Sequence, residues 1–376
     1  MRMAVIMTMS SPWAKEAVLR FCELGHEVHV FNVSDNPKHK GYLVNHSSLR
    51  QSAIESLFES AHIHDIFLPI KSDFRYFLGG YLIHTLCRKH HVEILLTMYG
   101  GGYATMAYVS RFRPFVIYAV GSDILFSTGL KEIINRFTHQ AAEKIFANGV
   151  YLAAKARELI HRGDIESLYL GVDTDHFSPE TEKKNDVVIL CTRGFIPVYN
   201  NNYLIQALAL LPEDLPYSEV IFSSTGPDLD RTKSLADRIL PSSIRRKIRF
   251  LGGVSNDELL YHLRKASIFV SLSRSDGTSI SLLEALSCGL FPVLSDIPQN
   301  REWIAPAMMN GFLVPLDQPE ALAKTLRRAI LDHGLRQAAG PINRNMVLKL
   351  ADGRKNMKIL ASKLEEIVDK HRTKIA

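Results

Sequence analysis

Within the eighteen residues Ser275 to Pro292 (SDGTSISLLEALSCGLFP), several side-chain types occur at spacings suited to an elongated anionic ligand. Gly277, Thr278 and Ser279 stand where a helix should begin, after the strand-like run Ile268–Leu272. The first turn of a helix presents unpaired N–H groups, and with the macrodipole they attract an anion such as a diphosphate. Gly277 also lets backbone approach a ligand closely. Asp276, on the preceding loop, can accept hydrogen bonds from sugar hydroxyls. Glu284 falls inside the helix among Leu282, Leu283 and Leu286. A carboxylate on such a turn needs partners, and the two hydroxyls of a ribose would supply them. Seven residues separate Asp276 from Glu284, which sets one carboxylate at each end of such a ligand with phosphates between. A plainer reading of the same residues has DGTS as a capping loop and Glu284 on a solvent face.

The elements that would position this segment follow a repeating pattern. Met3–Met7 is a short apolar run, Ala14–Leu24 has helical spacing and ends before Gly25, and Glu27–Phe31 returns as a strand. Strand, helix and strand within about thirty residues make a βαβ unit. Further strands are expected at Ile66–Leu68, Ile94–Thr97, Phe115–Tyr118 and Lys144–Ala147, with an aromatic-rich helix over about Asp73–His91. The charged stretch Pro179–Asp186 reads as a linker. The pattern then restarts, with strands at Val187–Cys191, Glu219–Ser223, Ile248–Leu251, Ile268–Leu272 and Pro292–Ser295 and helices at Leu204–Leu211, Asp257–Lys265, Ile280–Cys288 and Glu320–Leu331. This alternation predicts an α/β protein with two doubly wound, Rossmann-like domains, residues 1–180 and 181–353, facing across a cleft. From about Arg354 to His371, Met357, Leu360, Leu364, Ile367 and Val368 form one stripe of a helix expected to pack back on the first domain.

Composition narrows the class. The chain has 376 residues, 46% hydrophobic and 22% charged, with a net charge of +6, which is ordinary for a globular protein. The mild excess of positive charge favours anionic partners. The basic run IRRKIRF (Ile244–Phe250) is read as a solvated face, and no nucleic-acid partner is expected. The four cysteines are scattered without metal-ligand spacing, so neither disulfides nor a metal site is expected. No apolar run reaches the roughly 18 residues that span a bilayer. A cytoplasmic location is expected, with peripheral contact at the inner face of the membrane. Arg111, Phe112, Arg113 and the aromatic helix near Phe74–Tyr81 would make a basic, apolar patch for an anionic membrane surface, and ordinary packing is the alternative.

The segment Ser275–Pro292 resembles the signature of two acidic residues seven apart in glycosyltransferase family 4, a family of retaining transferases with the GT-B fold. Glu284 matches the second acidic residue, and Asp276 stands where most members have Glu. The resemblance extends through DIPQNREW (Asp296–Trp303), NGFLVP (Asn310–Pro315), RFLGG (Arg249–Gly253), LGVDTDHFSP (Leu170–Pro179) and VGSDIL (Val120–Leu125). It covers nearly all of the second domain and patches of the first.

By that resemblance, Asp276 contacts donor-sugar hydroxyls, Glu284 contacts the ribose, and the amides of Gly277, Thr278, Ser279 and Ile280 touch sugar and phosphate. Arg193, in CTRGF, corresponds to the arginine that neutralises the pyrophosphate; a surface arginine is the alternative. The lysine usual nearby is missing from Ile196–Tyr203, where Tyr199 would offer a hydrogen bond instead. The histidine usual in the first domain is missing from Thr97–Tyr103 (TMYGGGY). Gly101 in that run would admit a ligand, or the run is a flexible turn. Asp123 would bind an acceptor hydroxyl, or cap a helix. Gly226 is added to the donor pocket.

The resemblance implies metal-independent transfer, with retention, from a nucleotide-sugar to a hydroxyl of a glycan, a lipid-linked acceptor or a small molecule. A UDP-sugar is favoured as donor, with GDP-mannose next. No cofactor is implied. The rival readings are a GT-B sugar-nucleotide epimerase and a non-catalytic relative that binds nucleotide-sugar.

Overall fold

The computed structural model describes residues 1–34, 55–56, 59–68, 72–126, 128–180, 186–305 and 307–375. The chain forms two compact units, one of residues 1–170 with 353–376 and the other of residues 171–352. Most of the linker read at Pro179–Asp186 lies outside the described residues.

The first unit is a parallel sheet of seven strands: β1 (Arg2–Met7), β2 (Glu27–Ser34), β3 (His62–Phe67), β4 (Ile94–Met98), β5 (Phe115–Ala119), β6 (Lys144–Ala147) and β7 (Glu166–Ser167). Their order across the sheet is β3-β2-β1-β4-β5-β6-β7. The strands β1, β4 and β5 are apolar along most of their length because parallel strands are covered on both faces. The helices include α1 (Pro12–Glu23), α2 (Arg75–Lys89), α3 (Gly102–Val109), α4 (Ser122–Leu125), α5 (Leu130–Gln140) and α6 (Val150–Ile160). Gly25 ends α1 with φ +81°, and the pair of bonds from Gly25 N to Cys22 O and His26 N to Phe21 O closes its last turn. Strand β3 begins four residues earlier than the apolar pattern suggests. Its sequence, HIHDIF, is polar on an edge strand, so apolar periodicity has little to report there.

The second unit repeats the design with β8 (Val188–Cys191), β9 (Glu219–Phe222), β10 (Ile248–Phe250), β11 (Ile268–Ser271), β12 (Phe291–Ser295) and β13 (Phe312–Val314). The order is β10-β9-β8-β11-β12-β13, again all parallel. Both sheets therefore have the Rossmann strand order, with a topological switch at the first strand of each. The helices of this unit include α7 (Asn201–Leu208), α8 (Leu229–Ile239), α9 (Ser242–Arg245), α10 (Asn256–Lys265), α11 (Ile280–Ser287), α12 (Pro298–Arg301), α13 (Pro319–Leu331) and α14 (His333–Leu350).

Helix α14 was not among the helices expected from sequence, and it contains Gly340–Pro341, a pair unfavourable inside a helix. The pair sits inside the helix, where Gly340 meets the backbone of Gly289 at the end of α11. A Cβ on residue 340 would lie 3.1 Å from the Gly289 carbonyl oxygen. Gly340 thus permits close backbone packing of α14 against the end of α11.

The last helix, α15 (Gly353–Ile375), belongs to the first unit and packs on α1. Met357, Leu360, Leu364 and Val368 are its buried stripe. Asn356 donates to the Tyr169 carbonyl at 2.8 Å, and Lys363 pairs with Glu166 at 2.8 Å.

Candidate active site

Helix α11 owes its start and its end to local chemistry. Ser279 is its N-cap, extended in backbone, and its hydroxyl accepts from Leu282 N at 3.3 Å. At the other end Gly289 takes φ +73°, with bonds from Gly289 N to Leu286 O and Leu290 N to Ala285 O. The helix axis is thereby fixed behind the loop that follows β11. Glu284 lies on the turn Leu282–Ser287, all of it buried, and is 4% exposed. This rules out a solvent-facing Glu284.

Arg193 meets this loop from the neighbouring strand. It follows β8 and is buried, with one guanidinium nitrogen on Asp276 Oδ2 at 2.6 Å and the other on the Ser279 hydroxyl. Its guanidinium carbon stacks 3.9 Å from the centre of the Tyr199 ring, a cation–π contact. The surface-arginine alternative is thereby excluded. Strands β8 and β11 are neighbours, and the order of the sheet reverses between them. The Arg193–Asp276 pair therefore spans the switch point, at the carboxyl ends of the strands, where open α/β sheets bind ligands. Burial pushes the Asp276 carboxyl above its ordinary range, against the pull of Arg193 and of the Gly277 amide.

Several polar atoms at this edge have no partner. They are Thr192 Oγ1 and Arg193 Nε after β8, Ser223 Oγ after β9 and Ser273 Oγ after β11, all buried. Buried polar atoms are normally paired. A row of unpaired ones along adjacent strand ends has the chemistry of a polar ligand's pocket. The loops carrying them are rigidly held. Asn201 donates to the carbonyls of Arg193 and Gly194 at 3.2 and 3.0 Å. Phe195 N donates to Thr225 O, and Asp228 N to Phe195 O, both at 2.9 Å. Gly226 sits inside that clasp at φ +153°, where a Cβ would lie 2.4 Å from Phe195 O. Arg274, which donates from its backbone to Val198 O at 2.8 Å, pairs with Asp317, and Asp317 also accepts from Asn200 at 3.2 Å.

The first-unit candidates form a separate group. Asp123 is buried, and its carboxylate accepts from the amides of Gly100 at 2.6 Å, Gly121 at 2.7 Å and Val120 at 3.2 Å. It ties the loop after β4 to the loop after β5. The N-cap of α4 is Gly121, so Asp123 is in the first turn of that helix. Burial raises its carboxyl above the ordinary range despite those amides.

A side chain at any of the three glycines of TMYGGGY would collide with the chain itself. A Cβ at Gly100 would meet His139 Nε2 at 2.7 Å and Asp123 Oδ2 at 2.9 Å, one at Gly101 the Tyr99 ring at 2.7 Å, and one at Gly102 the Tyr76 ring at 2.3 Å. His139, on α5, is fully buried; burial holds its imidazole down at about 4, and Nε2 has no partner.

Two family models match the chain: "Glycosyl transferases group 1" over residues 172–346 and "Glycosyl transferase 4-like" over residues 18–152. Between them they span most of both units.

The chain belongs to the group 1 glycosyltransferases.

Among curated relatives, this group 1 glycosyltransferase is 34% identical to GDP-mannose:cellobiosyl-diphosphopolyprenol alpha-mannosyltransferase of Xanthomonas oryzae over 137 residues. That match covers 35% of this chain and 35% of the relative, about a third of the relative's length. Among solved structures it resembles sucrose-phosphate synthase from Thermosynechococcus elongatus, with TM-score 0.80 and 14% identity over 98% of this chain and 99% of the other. It also resembles the Anabaena protein HepE, solved with UDP and glucose, with TM-score 0.74 and 16% identity over 97% and 100% of the two chains. Such low identities carry the GT-B fold, and the two sheets agree with it.

Of the residues named from sequence, the structure gathers Arg193, Tyr199, Asp276 and Ser279 into one contact group, with Gly277 and Thr278 in the loop between. Gly226 braces the adjoining loop. Asp123 and Gly101 lie in the other unit of this group 1 glycosyltransferase. Residues not foreseen are Asn201, Thr192, Ser223, Ser273 and His139. Thr192 and Ser223 carry a faint signal, a hydroxyl residue immediately after a buried strand.

Proposed function

We propose that this chain transfers a hexosyl group, with retention and without a metal, from a nucleoside diphosphate sugar to an acceptor hydroxyl. The observation that carries this reading is the Arg193–Asp276–Ser279 contact group at the head of α11. In the reaction, the bond from the anomeric carbon to the diphosphate oxygen breaks. The acceptor oxygen bonds to that carbon from the same face, and its proton passes to the leaving phosphate. Charge builds on the diphosphate as the bond breaks. The α11 N-terminus and Arg193 would stabilise it, which is differential binding of the transition state. Arg193 would exchange Asp276 for phosphate as the donor enters. That releases the Asp276 carboxylate for sugar hydroxyls. Glu284 is assigned to the ribose.

For the donor, GDP-mannose and UDP-sugars are the two candidates, the first named for the Xanthomonas relative and UDP bound in the HepE structure. The test is incubation of purified protein with each donor, with and without a membrane extract, and NMR assignment of the product anomer. Transfer with retained configuration supports the reading. An inverted product, donor epimerised without acceptor, or a bound donor never consumed would each overturn it.

The acceptor is proposed to be lipid-linked, approached from an anionic membrane. Among the described residues no helix is long and apolar enough to cross a membrane. The first unit nevertheless exposes Phe74, Phe77 and Tyr81 at α2 and Leu130, Ile133 and Phe137 on α5. Lys131 bridges the two helices to Asp73 at 3.1 Å. Arg111 and Arg136 are exposed in the same unit. Apolar side chains with cations nearby suit the surface of an anionic bilayer. Co-sedimentation with phosphatidylglycerol vesicles should fall in Phe77→Ser and Phe137→Ser; unchanged binding would remove the membrane from the reading.

A further inference from the structure

Strands β2 and β3 pair in parallel with His29 opposite His62 and Phe31 opposite His64. Side chains two apart share a face of a strand, so Glu27 and His29 on one strand and His62 and His64 on the other face the same way. His90, immediately after α2, closes over them. The ring centres of His29 and His64 are 5.3 Å apart, of His29 and His90 4.7 Å, and of His64 and His90 4.5 Å. His29 Nδ1 is 3.1 Å from His64 Nε2. One ring nitrogen from each of His29, His64 and His90 lies within 4.8 Å of the others. His90 Nε2 is buried with no hydrogen-bond partner. His29 is buried, and its Nε2 is held by Glu27 Oε1 at 3.2 Å.

We propose that His29, His64 and His90 bind a divalent transition-metal ion of the zinc class, with Glu27 orienting His29 from behind. Zinc takes imidazole nitrogens at about 2.0–2.1 Å in a tetrahedral array, so its ligand nitrogens stand roughly 3.3 Å apart. The His29–His64 separation is already close to that spacing. Three imidazoles leave a fourth position for water, and imidazole ligands favour zinc, cobalt and nickel over magnesium or calcium. A carboxylate on the remote nitrogen of a ligating histidine fixes its tautomer and strengthens it as a ligand. Glu27 stands in that relation to His29, leaving Nδ1 for the metal. His62 stacks on His29 at 4.9 Å and is exposed, which places it outside the trio.

The position decides what the ion does. Glu27 and His62 begin their strands and His90 precedes β4, so the cluster lies at the amino ends of the sheet. Ligands of this fold bind at the carboxyl ends. The metal therefore clamps β2, β3 and the end of α2, and takes no part in sugar transfer.

The test is titration of tag-free, full-length protein with zinc chloride by calorimetry and with cobalt(II) by absorption. One zinc per chain and the visible bands of tetrahedral cobalt are expected. His64→Gln and His90→Gln should each weaken zinc at least tenfold, Glu27→Gln by about tenfold, and the surface control His333→Ala not at all. Chelation should lower the melting temperature and leave donor turnover unchanged. Absence of saturable binding in the wild type, or undiminished binding in both His64→Gln and His90→Gln, overturns the site. Loss of turnover on chelation overturns its structural role.

Discussion

Arg193 holds a carboxylate and a hydroxyl with two nitrogens of one planar group while its flat face lies on Tyr199. No other cationic side chain can do all three, since lysine offers a point charge without a fork. Arg193→Ala should slow transfer at least about tenfold, equivalent to ~1.4 kcal/mol on the barrier, and Arg193→Lys should recover little of it. Steady-state turnover measures this, and near-wild-type rates in Arg193→Ala would remove the role. Glu284→Ala should weaken nucleotide affinity in calorimetry, and an unchanged Kd would leave Glu284 a structural part only. His139 makes a different prediction. Burial holds its folded pKa at about 4, below the ordinary 6.5, with the Asn135 carbonyl pulling the other way. A depressed histidine favours the folded state fully above pH 6.5, and that stability drains away as pH falls toward 4. His139→Gln should flatten the loss of melting temperature over that window; an unaltered slope would assign the acid sensitivity elsewhere.

Elements explain which parts of the site could be read in advance. The Asp276-to-Glu284 stretch was legible because loop, N-cap and helix are contiguous in sequence and each leaves a local mark, Ser279 at one end and Gly289 at the other. Arg193 and Tyr199 needed the family resemblance, because only the pairing of β8 with β11 brings them to Asp276. Thr192, Ser223 and Ser273 are ordinary hydroxyl residues until three strand ends are aligned. The histidines of β2, β3 and the end of α2 are dispersed between positions 29 and 90, so no ligand spacing shows. The triple glycine was read as room for a ligand or as a flexible turn, and the neighbours that a side chain there would meet, Tyr76, Tyr99, Asp123 and His139, come together only in the fold. The clasp around Gly226 belongs to this scale as well. Gly226→Ala would drive a Cβ into the Phe195 carbonyl at a φ that side chains avoid and should destabilise the second unit by about 2 kcal/mol. Thermal unfolding would show it as a lower melting temperature, and an unshifted midpoint would mean the loop relaxes freely.

At the scale of the whole molecule, two copies of one strand order carry different side-chain groups. The second unit contains the polar, rigidly braced strand ends, and the first contains the exposed aromatic helices and the histidine cluster. The chain leaves the first unit at Leu170 and comes back to it at Gly353. The two passages are joined: Val172 pairs with Asp352, Val172 N donates to Ala351 O at 3.0 Å, and Thr174 bonds Asp352 at 3.2 Å. Deleting residues 353–376 should destabilise the first unit, which loses the cover on α1, and spare the second. Calorimetry on the truncated chain should show one transition lowered and one kept. Equal loss in both would contradict the division.

That returning helix also sets a timetable. On the ribosome, α1 emerges before the second unit and its covering helix α15 after it, with the whole of 171–352 made in between. At 5–20 residues per second, residues 171–352 alone take roughly ten seconds to half a minute. The second unit can finish folding in that interval, while α1 waits with the surface that α15 covers exposed to whatever else is in the cell. Newly made chains arrested before residue 353 should therefore be cut by protease within the first unit and resist within the second.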